Sequence, residues 1–203
     1  DSFIYNTYNL PIINKTLKNT AGREKNISGF AGILRKWGLT RVDVSHYWLD
    51  VGLFSGAVGI PRSYALTDDG NNRDIDQPNQ SVRHLKAVLS QEVFLPDHQV
   101  LHLHLGYQEN LRREFSFPEF HSAAVVDQNN TLAIELRLRT FTLNGHFDHE
   151  VKRNLTNTYG FDAQYQTNTR DGFEVFIPNF QTVRSGIYAI SNWQASKKTL
   201  VQG

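Results

Sequence analysis

Thr131-Leu-Ala-Ile-Glu-Leu-Arg-Leu-Arg-Thr-Phe-Thr-Leu-Asn-Gly-His-Phe-Asp-His-Glu-Val151 is the stretch whose reading decides the fold. In an extended chain, successive side chains point to opposite faces. Leu132, Ile134, Leu136 and Leu138 fall on one face, and Thr131, Glu135, Arg137 and Arg139 on the other. This period of two predicts a half-buried β-strand. At Thr140 the phase changes, since the next apolar residues, Phe141 and Leu143, are odd-numbered. Either a β-bulge near Arg139–Phe141 shifts the register, or both faces of the strand end are covered. Asn144-Gly145 then predicts a tight turn, because a type I′ hairpin needs positive φ at both central residues. The expectation is two strands joined at Asn144-Gly145.

The flanking sequence repeats this pattern. Leu101, Leu103 and Leu105 alternate with Val100, His102 and His104, and Val42 and Val44 alternate with Asp43 and Ser45. Tyr159–Thr167 and Phe173–Phe180 flank a loop that ends in Asp171-Gly172, a further hairpin signal. One segment departs from it. Ile27, Phe30, Ile33, Leu34 and Trp37 recur at helical spacing before Gly38, which predicts a short helix there. Ser81–Leu95 reads either as helix or as strand. Strands about every ten residues with short turns predict a mainly β fold. The expected form is an antiparallel β-sandwich or barrel with one or two short helices, in a single domain spanning residues 1–203.

Composition narrows the chemistry. The net charge is +1, so no global field draws nucleic acid or an anionic surface. Cysteine is absent, which excludes disulfides, thiol nucleophiles and thiolate metal sites. Methionine is absent too, and a chain without either sulfur residue suits a long-lived extracellular protein. Asn-x-Ser/Thr sequons stand at Asn14, Asn26, Asn79, Asn129 and Asn154, which predicts a secreted glycoprotein. The longest apolar run, Val51–Pro61, is short and broken by glycine, so no membrane span is expected.

Histidines are the first candidates for chemistry. His102 and His104 share a strand face, the arrangement on which β-barrel metal sites are built. His121, His146 or His149 would have to complete the set. The alternative is a pair of imidazoles on an ordinary polar face. The acidic loop around Asp68, Asp69, Asp74 and Asp76 lacks the spacing of a calcium hand. Glu135, between Ala133 and Arg137, fits a cross-strand charge ladder better than catalysis. No Gly-x-Ser-x-Gly elbow or phosphate loop is present.

Aromatic residues are in surplus. Trp48, Tyr107, Tyr165 and Trp193 lie on or beside predicted strands, and a single core cannot absorb aromatics from both strand faces. The leading expectation is therefore a secreted, non-catalytic carrier or storage protein. It would hold an apolar lipid or pigment against these side chains, or act as a subunit of a stable homo- or hetero-oligomer. No cofactor is required. A lectin-like module stacking a glycan on the same aromatics is one alternative. A metal-dependent enzyme using His102 and His104 is the other.

Overall fold

A computed structural model describes residues 2–5, 8–13, 16–17, 19–53, 73–97, 99–116 and 130–203. The chain is all-β and antiparallel, and no helix occurs among the described residues. Three short strands, β1 (Ser2–Tyr5), β2 (Tyr8–Ile13) and β3 (Thr16–Leu17), form a small ladder. The rest is one sheet of eight strands. These are β4 (Gly22–Arg35), β5 (Gly38–Gly52), β6 (Asn79–Phe94), β7 (Val100–Phe115), β8 (Leu132–Lys152), β9 (Leu155–Asp171), β10 (Phe180–Ser196) and β11 (Thr199–Gln202). Each pairs with its neighbour in sequence, so the sheet is a plain meander. It does not close on itself: β4 lies at one edge and β11 at the other.

Two expectations give way here. Ile27–Leu34 is part of β4 rather than a helix, and it pairs residue for residue with Leu39–His46 of β5. The helical spacing arises because β4 carries apolar residues on both faces, with Phe30 and Leu34 on one and Ile27 and Ile33 on the other. Gly38 ends no helix. It closes the β4–β5 turn at φ +154°, where a Cβ would strike the Glu92 carbonyl oxygen. Ser81–Leu95, ambiguous from sequence, lies almost wholly in β6.

The larger correction concerns Asn144-Gly145. These residues make no turn. β8 runs straight through them, with Asn144 opposite His104 and Asp162, and Gly145 opposite Leu103 and Phe161. A neighbouring strand on each side satisfies the ladder that a turn would have broken. Gly145 serves close approach instead: a Cβ there would lie 2.7 Å from Leu103 Cδ2 and 2.9 Å from the His102 carbonyl oxygen. The phase change at Thr140 is real, yet no bulge causes it. The β7–β8 and β8–β9 registers run unbroken past Arg139–Phe141, and the shifts fall at Glu114/Phe115 and Glu150/Lys152.

What changes at Thr140 is the character of the faces. On the odd-numbered side of β7–β10, Leu101, Leu103, Leu105 and Tyr107 align with Phe147, Gly145, Leu143 and Phe141. These align in turn with Tyr159, Phe161, Ala163 and Tyr165, then with Ala189, Ile187, Ser185 and Val183. Val42, Val44, Leu85, Ala87 and Leu89 continue the band onto β5 and β6. The opposite face carries His102, His104, Gln108, Thr140, Thr142, Asn144, Asp162, Gln164, Gln166 and Arg184.

The two ends of the sheet also differ. At one end the strands are joined by the tight turns 36–37, 95–99, 153–154 and 197–198. At the other, the connections are the longer stretches 53–78, 116–131 and 172–179. Asn19 ties the β5–β6 side of this second end. Its side-chain amide donates to the carbonyls of Leu53 (3.0 Å) and Pro78 (2.8 Å), and its Oδ1 accepts from the Asp76 backbone N–H (2.9 Å).

The described residues of this sheet bury few apolar side chains. Among the described residues, the buried aliphatic side chains are Ala133 and Ile134, at 2% and 8% exposure. Ile187 is 90% exposed and Val183 76%. Isolated apolar exposure is ordinary, but a contiguous band across neighbouring strands is not.

Candidate functional site

Among the described residues, the polar face carries one cluster with metal-ligand chemistry. β7 places His102 directly opposite His146 of β8, and the two rings stack with centroids 4.4 Å apart at 15°. Asp148 lies two residues further along β8 and therefore on the same face. Its Oδ2 lies 3.7 Å from His102 Nε2 and 3.9 Å from His146 Nε2. From β6, Glu92 pairs with His102 and puts Oε1 3.6 Å from its Nδ1. From β9, the Thr158 hydroxyl donates to Asp148 Oδ1 at 2.6 Å. Four strands thus converge on the cluster, at the tight-turn end of the sheet.

The predicted His102/His104 pair is only half present. Both side chains project from the same face, as alternation requires. His104, however, faces Ser90, whose Oγ lies 2.9 Å from its Nδ1. The partner of His102 is His146, and His149 sits on the other face with its ring 5.9 Å from Phe147. His121 lies outside the described residues. The expected turn at Asn144-Gly145 puts 146–149 on a hairpin tip and so hides the role of Asp148, while Glu92 falls in Ser81–Leu95, whose pattern fits helix or strand. Had β8 been read as continuous, His146-x-Asp148 would have mirrored His102-x-His104 as a second alternating pair.

Trp48, Tyr107, Tyr165 and Trp193 do share one face, the apolar one, yet they do not meet. Tyr107 and Tyr165 flank Phe141 across β7, β8 and β9. There Leu105, Phe141, Leu143, Tyr165 and Val183 line a shallow groove. Trp193 stands opposite Leu155 at the tight-turn end. Trp48 lies toward the other end, its ring 3.8 Å from that of His46 and tilted by 32°, beside Arg23, Lys25, Asp50 and Arg83.

Beyond the Tyr107–Phe141–Tyr165 row, the same face becomes charged. Arg139 Nε donates to Glu109 Oε2 at 2.7 Å, Arg113 Nε donates to Glu135 Oε2 at 2.6 Å, and Arg137 lies between both carboxylates at 3.8 and 3.7 Å. Glu135 is therefore one rung of a cross-strand charge ladder. The hydrogen bond from Arg139 holds the Glu109 carboxyl below the usual carboxylate range.

Of the sequons, Asn26 is exposed on β4, Asn154 is exposed in the β8–β9 turn, and Asn79 opens β6 with its amide donating to the Asp76 carbonyl at 3.1 Å. Asn14 and Asn129 lie outside the described residues, as do Asp68 and Asp69 of the acidic loop. No helix among the described residues is long and apolar enough to cross a membrane, a criterion that does not address strands. No family model matches the chain, and neither a curated protein nor a solved structure is significantly similar to it.

Proposed function

We propose that this chain forms part of the wall of a membrane-spanning β-barrel, with its apolar face toward lipid and its polar face toward an aqueous interior. The observation that carries this reading is the exposed apolar band on one face of an open meander sheet. Inside a bilayer, only helices and closed barrels satisfy every backbone group. Strands that cross need about nine to eleven residues when tilted. Val183–Trp193 on β10 supplies such a length, with Val183, Ile187, Ala189 and Trp193 on the outward face.

Aromatic side chains border the band at both ends, as in the girdles of such barrels. Tyr107, Phe141 and Tyr165 stand on one side, and Phe147, Tyr159 and Trp193 on the other. Charged residues take over past the first row. Tight turns at one end and longer connections at the other complete the pattern. Because β4 and β11 are open edges, further strands have to complete the wall, from a longer chain or from other copies.

This proposal replaces the expectation of a secreted carrier without a membrane span. A carrier of a lipid or pigment needs apolar side chains gathered around an enclosed volume. Here they spread across a face. The absence of cysteine gives a clean test. Ile187→Cys and Arg184→Cys, each labelled with a small fluorophore, sit close together on β10 but on opposite faces. In membranes from the producing cells, a lipid-soluble quencher should act on the label at 187 and a water-soluble one on that at 184. Equal aqueous quenching at both, with the protein in the soluble fraction, would return the carrier or lectin reading to the lead.

A further inference from the structure

We infer that His102, His146 and Asp148 form a binding site for a single divalent transition-metal ion of the zinc class. The strand register places all three on the polar face, and one donor atom from each lies within 4.8 Å of the others. The separations are informative. At 3.7 and 3.9 Å, Asp148 Oδ2 is too far from the two Nε2 atoms for a direct hydrogen bond. Ligand atoms about 2.1 Å from a shared tetrahedral ion stand roughly 3.4 Å apart. The two carboxylate–imidazole spacings are thus close to what one shared ion requires, and the donor atoms of the two imidazoles lie within 4.8 Å of each other.

The surroundings orient Asp148 as a metal site needs. Thr158 occupies Asp148 Oδ1 and leaves Oδ2 directed at the imidazoles. Glu92 Oε1 stands on the Nδ1 side of His102 at 3.6 Å, beyond direct hydrogen-bond reach, while Nε2 is on the Asp148 side. Two imidazoles and one carboxylate favour zinc, copper(II) or nickel over calcium and magnesium, which prefer oxygen alone. A fourth position is left to water or to an anionic group brought along the polar face. The inference rests on the register of β6–β9 and not on the membrane reading, so either can fail alone.

Zinc chloride titrated into the folded full chain, followed by calorimetry and elemental analysis, tests it. The expected result is one zinc per chain, with affinity lowered about tenfold or more in both His102→Ala and His146→Ala. His104→Ala, on the same strand face but bonded to Ser90, should bind as the parent does. Should an alanine variant lose its β-sheet circular dichroism, Asp148→Asn carries the same expectation with the side-chain shape kept. Copper(II) bound in place of zinc should show coupling to two nitrogens in its paramagnetic resonance. Absence of zinc binding by the folded parent would overturn the site. So would binding unchanged in His102→Ala and His146→Ala, or weakened equally by His104→Ala.

Discussion

The Tyr107 ring on β7 packs against the Phe141 ring on β8 with centroids 4.9 Å apart at 45°, while its hydroxyl donates to Glu109 Oε2 at 3.2 Å. One residue therefore belongs to both regimes of this face. Its ring closes the apolar band, and its oxygen reaches the charged ladder beyond. A phenol is suited to such a border, since one end is apolar and the other hydrogen-bonds.

Charge placed within the band should be costly, and charge on the opposite face should not. Leu105→Arg puts a guanidinium between Leu103 and Tyr107. In a bilayer it is expected to lower unfolding stability by about 2–4 kcal/mol. Gln108→Arg, on the polar face, should stay within about 0.5 kcal/mol of the parent. Denaturant unfolding in lipid vesicles measures both. Similar costs for the two variants would mean that the apolar band does not face lipid.

Glu109 sets a pH dependence. Its folded pKa is depressed, chiefly by the hydrogen bond from Arg139. The associated stability is present above the unfolded carboxylate value and is lost as pH falls through the depressed folded value. The stability gap between the parent and Glu109→Gln should therefore be full at neutral pH, narrow below about pH 4.3, and vanish in stronger acid. Unfolding midpoints measured across this range decide it. A gap constant with pH would show that Glu109 acts through packing alone.

Asn144 and Gly145 separate a continuous strand from a turn. Asn144→Val should be neutral or mildly stabilising, because a β-branched residue suits an extended strand. In a type I′ turn the same change would be severe, since valine resists positive φ. Gly145→Val should cost about 1–3 kcal/mol by forcing Leu103 and Phe161 aside. Thermal unfolding of both variants tests the continuity of β8, and a large loss in Asn144→Val would restore the hairpin.

Trimming Phe141 to alanine removes the middle ring of the Tyr107–Phe141–Tyr165 row. Phe141 is 49% exposed, so the loss should fall short of that for a core phenylalanine, at about 1–2 kcal/mol. Ser185→Ala, in the same band but without a ring, serves as the reference. Equal stability of the two variants would deny the aromatic row any structural role.

The mainly β character was legible from residues such as Leu101, Leu103 and Leu105, because a period of two belongs to extended chain alone. The same alternation put His102 and His104 on one face, and Glu135 beside Arg137 on a charged one. Sequence misjudged Asn144-Gly145 and Ile27–Trp37, where local preference pointed to a turn and to a helix. In both places the neighbouring strands decide: hydrogen bonds on one or both sides outweigh preferences worth about 1 kcal/mol per residue.

Sequence by itself determined the alternation of most strands and the exclusion of thiol chemistry. Only the tertiary structure decided which strands are neighbours, and with that everything requiring a partner. Register set His146 rather than His104 beside His102, brought Thr158 and Glu92 up to the same cluster, and joined separate apolar stripes into one exposed band. Alternation fixes the face on which a side chain stands, but the position opposite it belongs to another strand, and pairing between strands is a long-range choice that no local pattern contains.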